Sequence, residues 1–299
     1  MSAPIGFLGI GAMGRPMAAN LLRRGFPVTV TVHRDAEPAQ ALQAEGARIA
    51  ASRADLIAAA SIIIACLPTS TEVEEAVLGP GGVLETAARG AVFVDMGTSR
   101  PASTRMLAER LAARGLAMVD APITGGVRGA REATLTIYAG GDAAAVGRVR
   151  PALETMGRTV FHMGPTGAGH VTKLLNQMLS QGSMALLAEV LPLGVRLGLD
   201  AAQMIEALGA GSGATFAIPG RGARILQNDF APSFRLDLAH KDLRLAREIA
   251  EDVHLAQPMT SGALLTFALA RGLGLDAEDS TALVKVWERW LGVEVRADR

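Results

Sequence analysis

Two hydrophobic periods divide the chain. Through the first half, short apolar runs rich in β-branched residues alternate with stretches at helical spacing; the runs are Ile5–Ile10, Val28–His33, Ile62–Leu67, Ala91–Asp95, Leu116–Asp120, Thr134–Ala139 and Thr159–His162. Strands alternating with helices imply βαβ units on a parallel sheet. From about Gly164 the alternation stops. Long helical patterns follow, punctuated by Gly194, Gly198, Gly211, Pro219, Pro232, Pro258 and Gly272, and no strand is predicted there. The expected class is α/β: a doubly wound parallel sheet over residues 1–163, then an all-helical domain over 164–299 that opens with a long interdomain helix.

The first strand runs into Ile5–Gly14, IGFLGIGAMG, which holds Gly9-x-Gly11-x-x-Gly14. A helix pattern, Arg15–Arg24, follows at once and Gly25 stops it; a second strand begins at Val28. Glycines at this spacing permit a tight turn, close backbone approach to a pyrophosphate, and close packing of helix on strand. The helix N-terminus then faces the phosphates. Gly9, Ile10, Gly11, Met13 and Gly14 are thus the candidate phosphate loop of a Rossmann-type domain.

The residue ending the second strand selects the coenzyme. An acid there accepts the ribose 2′-hydroxyl of NAD, whereas an arginine accommodates the 2′-phosphate of NADP. Here His33 stands in the acid's place, with Arg34 next and Asp35 beyond. NADP(H) is the preferred reading and NAD(H) a possible one. Arg34 also reads as an ordinary solvated arginine.

Composition narrows the partner. The 29 Lys and Arg balance 29 Asp and Glu, so no net field gathers a polyanion, and nucleic acid is not expected. A hydrophobic fraction of 49% excludes a disordered chain. A lone cysteine, Cys66, excludes an intrachain disulfide framework. The apolar stretch from Leu56 to Leu67 is shorter than the ~18 residues a membrane span requires, so no membrane is expected. No basic leader precedes the first apolar run, and the cytoplasm is the expected location.

Four blocks in order resemble the β-hydroxyacid dehydrogenases, the group of 3-hydroxyisobutyrate dehydrogenase and tartronate semialdehyde reductase. They are GIGAMGRPMAANLLRRG at Gly9–Gly25, DAPITGG at Asp120–Gly126, GPTGAGHVTKLLNQ at Gly164–Gln177, and FRLDLAHKDL at Phe234–Leu243. The KLLNQ and FRLDLAHKDL segments and the closing VEV look nearest to the tartronate semialdehyde branch. The resemblance implies that Thr124, Gly125 and Gly126 bind a substrate carboxylate, where Thr124 replaces the usual Ser. It makes Lys173 the catalytic lysine. It places Leu67, Pro68 and Thr98 near the nicotinamide riboside and brings Lys241 over the cofactor, with Asp242 or His240 fixing its position. Thr98 reads equally as a cap for the helix entered near Pro101. Ala133 stands where a glycine is usual.

The residues carry a compatible chemistry of their own. On the helix from about Thr166 to Leu197, Lys173, Asn176, Gln177, Ser180 and Gln181 fall at i, i+3, i+4, i+7 and i+8, on one face. Such a seam serves either a structural hydrogen-bond network or the wall of a ligand pocket. Carbonyl reduction leaves an alkoxide that needs a proton; a lysine can supply it, whereas an arginine stays protonated. Asn176 and Gln177 would orient the substrate beside Lys173. Phe216 is a candidate apolar pocket wall or core residue. His162, His170 and His254 lack metal-ligand spacing, so no metal is expected.

The expected activity is NAD(P)(H)-dependent interconversion of a small 3-hydroxy acid and its semialdehyde, with 2-hydroxy-3-oxopropanoate the leading case. The apolar helical half predicts a homodimer or homotetramer. Lys173 argues against an imine reductase. The length and the lack of a phosphate cluster argue against 6-phosphogluconate dehydrogenase. A catalytically silent NADP-binding interaction module is the non-enzymatic alternative.

Overall fold

The structure, a computed structural model, describes residues 2–297. The chain forms two compact units, the first ending at Lys173 and the second beginning at Leu174. In the first unit the elements run β1 (Ile5–Leu8), α1 (Gly14–Arg23), β2 (Val28–Thr31), α2 (Glu37–Ala44), β3 (Arg48–Ala50), α3 (Arg53–Ala58), β4 (Ile62–Ala65), α4 (Ser70–Leu78), α5 (Val83–Thr86), β5 (Val92–Asp95), α6 (Pro101–Ala112), β6 (Ala117–Asp120), β7 (Ile123–Thr124), α7 (Gly126–Glu132), β8 (Leu135–Gly140), α8 (Ala143–Leu153) and β9 (Gly157–Gly164).

The sheet order is β3-β2-β1-β4-β5-β6-β8-β7, with β9 on β8. Strands β1 to β6 pair in parallel. The reversal of strand order at β1 and β4 opens the crevice in which doubly wound sheets bind ligands. Successive residues feed opposite faces: Ile62 and Ile64 join one core cluster, Ile63 and Ala65 the other. Burial on both faces is why these strands read as unbroken apolar runs.

Three expectations change. β8 runs antiparallel to β6 and β7, so the sheet is parallel-dominated rather than wholly parallel. β3 and β7 were not expected, since runs of three and two residues leave no periodicity to detect. The strands also stop short: Ile10, His33 and Leu67 lie two residues beyond the ends of β1, β2 and β4, in the strand-end loops.

Helix α9 (Ala168–Arg196) starts in the first unit and continues into the second. In the Gly-rich stretch at 164–169, the backbone of Gly169 packs against the sheet. A Cβ on Gly169 would lie 2.3 Å from the Tyr138 carbonyl oxygen and 2.6 Å from that of Asp120. The second unit is helical: the rest of α9, then α10 (Ala201–Ala210), α11 (Ala217–Leu226), α12 (Leu236–Glu251), α13 (Pro258–Gly272), a 3-10 turn (Ser280–Leu283) and α14 (Val284–Leu291). By length and mean hydropathy α9 passes as a membrane span. Its Met184, Ala185, Leu187, Ala188 and Leu191 instead help form the buried core of this unit.

Ala133 ends α7 in the left-handed region, at φ 54°. An L side chain costs about 1–2 kcal/mol there. Ala133→Gly is therefore expected to stabilise the protein by roughly 1 kcal/mol, which raises Tm by about 2–4 °C in calorimetry. An unchanged or lower Tm would show that the loop carries no strain.

Candidate functional site

The three glycines do different work. Gly9 has φ +87°, and a Cβ there would lie 2.3 Å from the Cys66 carbonyl oxygen. A Cβ on Gly14 would lie 1.9 Å from the Gly9 carbonyl oxygen. Those two let β1, β4 and α1 approach. Gly11 has nothing within 4 Å of its Cβ position. Its open backbone faces a cleft of about 480 Å3 lined by Ile10, Gly11, Arg15, Arg23, Glu45 and Arg131, among others. Helix α1 has no side-chain cap at Met13; its Arg15 N–H is taken by the Gly11 carbonyl at 3.0 Å and Pro16 has none, so the loop backbone and the positive end of the helix dipole are what the cleft offers a ligand. A pyrophosphate fits this cradle, which combines bare backbone, a helix N-terminus and nearby guanidinium groups.

His33 and Arg34 lie exposed past the end of β2. The Asp35 carboxylate accepts the Glu37 N–H at 3.0 Å, at the start of α2. Leu67 and Pro68 follow β4, and Thr98 follows β5. Thr69 caps α4, whereas the N-cap position of α6 is Arg100 rather than Thr98. Cys66 has its thiol pushed up to about 12 by burial and then by Asp95, so it stays protonated and is no nucleophile.

At the DAPITGG segment, Thr124 ends β7, and Gly125 and Gly126 follow at φ 128° and 64°. Both glycines are exposed. Consecutive residues in unusual backbone conformations present N–H groups to one side, a form that holds anions.

Asp120 begins this segment, and its buried carboxylate reaches the start of α9. One oxygen accepts the Gly167 N–H at 2.7 Å; the other accepts that of His170 at 2.8 Å. Burial pushes this carboxyl above its ordinary value, against the pull of His170 and those two N–H groups. Lys173 lies one turn further along and is buried, 7% exposed.

In the second unit, the Gln177 amide donates to Asp242 Oδ2 at 2.6 Å, and Asn176 donates to Gln177 Oε1 at 3.3 Å. Lys241 Nζ lies 3.2 Å from Asp242 Oδ1. The stripe residues thus join Lys241 through Asp242. His240 instead accepts from Arg271 at 3.2 Å, and its basicity is lowered by burial and then by that arginine. Arg221 donates to the Ser180 hydroxyl at 3.0 Å, so that part of the stripe is structural. Phe216 is not a core residue: it is 86% exposed and borders a cleft with Ile205, Glu206 and Pro219. Sequence reasoning missed Asp120 and His170 as site-building residues, since a buried carboxylate pairing with backbone 47 residues away leaves no local pattern.

Comparisons with known proteins identify the family. Residues 4–164 match the NAD binding domain of 6-phosphogluconate dehydrogenase, and residues 167–287 match the NAD-binding domain of NADP-dependent 3-hydroxyisobutyrate dehydrogenase. A 2-(hydroxymethyl)glutarate dehydrogenase from Eubacterium barkeri is 42% identical over 295 residues, 98% of each chain. The chain belongs to the β-hydroxyacid dehydrogenase family.

As a β-hydroxyacid dehydrogenase it is an NAD(P)-dependent oxidoreductase acting on a small molecule. A solved 3-hydroxyisobutyrate dehydrogenase of Mycobacterium tuberculosis superposes with TM-score 0.86 at 30% identity, covering 95% of this chain and 99% of that one. The 2-hydroxy-3-oxopropionate reductase of Escherichia coli is 32% identical over 95% of this chain and 97% of its own. Its identity is lower than the 42% shared with the hydroxymethylglutarate enzyme.

The glycine loop of this dehydrogenase predicts a split. Gly11→Ala should leave Tm within about 1–2 °C of wild type, since its Cβ meets nothing, yet weaken NADPH binding at least tenfold in a fluorescence titration (on the order of 1.4 kcal/mol). Gly14→Ala should lower Tm sharply. Unchanged nucleotide affinity in Gly11→Ala would remove the cleft from the cofactor site.

Proposed function

We propose that this dehydrogenase is a cytoplasmic, NADP(H)-preferring enzyme that interconverts a small 3-hydroxy acid and its semialdehyde. The observation that carries the reading is Lys173, a buried lysine one turn past a helix start held by the carboxylate that heads the substrate loop. Thr124, Gly125 and Gly126 receive the substrate's carboxylate. When bound, the reduced nicotinamide supplies the hydride. Lys173 gives its proton to the carbonyl oxygen in reduction and takes it back in oxidation. Asn176 and Gln177 are assigned to the substrate and Lys241 to the cofactor, whose nicotinamide side is assigned to Leu67, Pro68 and Thr98; Gln177 bonds both Asn176 and Asp242, and Asp242 pairs with Lys241.

Arg34 supports NADP(H), being exposed at the end of β2 while Asp35 is engaged with the backbone of α2. Leu175, Leu179, Leu186 and Leu193 lie exposed along α9 at spacings of four, seven and seven. That apolar stripe supports a homodimer or homotetramer. Two substrates lead: 2-hydroxy-3-oxopropanoate, from the short blocks, and the semialdehyde of 2-(hydroxymethyl)glutarate, from the 42% identity over nearly the whole chain.

A spectrophotometric panel of both semialdehydes and of 3-hydroxyisobutyrate, with NADPH and NADH, tests the reading. Lys173→Ala should lower kcat by about 10²–10⁴, and Lys173→Arg should not restore it. Arg34→Ala should weaken NADPH far more than NADH. No turnover by the wild type, or full activity in Lys173→Ala, overturns the assignment; equal losses for both coenzymes overturn the role of Arg34.

A further inference from the structure

Three side chains with no solvent exposure, Asp95, Asp120 and His170, meet at the ends of β5 and β6. His170 Nδ1 lies 2.8 Å from Thr104 Oγ1 on α6 and 3.8 Å from Asp120 Oδ2. Its Nε2 lies 3.6 Å from Asp95 Oδ2 and makes no hydrogen bond. The Thr104 hydroxyl also lies 3.2 Å from the Arg100 carbonyl, and its single proton serves either that carbonyl or the imidazole nitrogen, according to the tautomer of His170.

Apolar side chains of similar volume often pack as stably as buried ionisable groups, so the stability of this cluster is weak grounds for it and the geometry it imposes is the better account. The attached segments show which geometry. Asp95 accepts the Gly97 N–H at 2.9 Å and the Ser99 hydroxyl at 2.6 Å, which fixes the loop carrying Thr98. Asp120 fixes the start of α9 and heads the substrate loop. His170 faces both carboxylates, and Lys173 follows it at i+3, on the same face of α9.

We propose that His170 is a positioning residue for the dehydrogenase reaction, tying the helical turn that carries Lys173 to Thr104, beside Asp95, the anchor of the Gly97–Ser99 loop. The imidazole touches no reacting atom. It sets where the lysine stands relative to the loop assigned to the nicotinamide. The inference rests on the reading of Lys173 and Thr98 given above.

His170→Leu keeps the volume and removes both polar ends. It should lower kcat by about 10- to 100-fold, the cost of displacing a catalytic group by roughly 1 Å, with KM little changed. His170→Asn, whose amide replaces Nδ1 toward Thr104, should recover several-fold of that loss. Thr104→Val should reproduce the defect in milder form and serves if His170→Leu does not fold. Hydrogen exchange of the peptide spanning 163–173 needs no substrate. It should quicken in His170→Leu and Thr104→Val and slow again in His170→Asn. Wild-type kcat in a folded His170→Leu enzyme, even with a lowered Tm, overturns the proposal, as does unchanged exchange. A wild type inactive on every semialdehyde would count against the functional reading alone, while the exchange measurement still decides whether His170 holds the turn.

Discussion

The carboxylate of Asp120 makes two hydrogen bonds on which the arrangement of the first unit turns. A helix start leaves N–H groups without partners, and they must be satisfied by a cap, by water or by a ligand. In α9 the partner comes from the end of β6, through the Gly167 and His170 N–H groups. The negative charge also complements the helix dipole. Since Asp120 is followed directly by the substrate loop, one side chain fixes that loop and the helix carrying Lys173 to a single strand end. The absence of a Cβ on Gly169 lets the helix come close enough for those bonds to form.

Much of this was legible in the sequence, and the reasons are local. Strands buried on both faces write continuous apolar runs, and the glycine loop writes its own spacing, so β1, α1 and β2 could be placed within two residues. The blocks carrying Thr124, Lys173 and Lys241 were recognisable by their resemblance to the family. What was not legible is long-range. β8 reverses direction with no mark in its composition, since alternation is blind to strand sense. The tie between Asp120 and the start of α9, and the imidazole beside it, join segments that no periodicity relates.

The scarcity of lysine also acquires a meaning. Only Lys173, Lys241 and Lys285 occur among 29 cations. Lys173 is buried at the start of α9, and Lys241 is paired with Asp242. Lys285 pairs with Glu278 and lies 4.2 Å over the Phe230 ring, a packing role at the surface of the second unit. Arginine serves elsewhere because surface ion pairs need a charge and no proton exchange.

The account comes down to one transferable proton on one ammonium group. Chemical rescue tests it most directly: kcat of the Lys173→Ala enzyme, measured with added primary amines of graded basicity and similar size. If Lys173 exchanges the proton, activity rises with amine concentration and its extent tracks amine basicity. Rescue that is absent, or that depends only on amine volume, would contradict a proton role for Lys173 and leave the lysine as a packing residue.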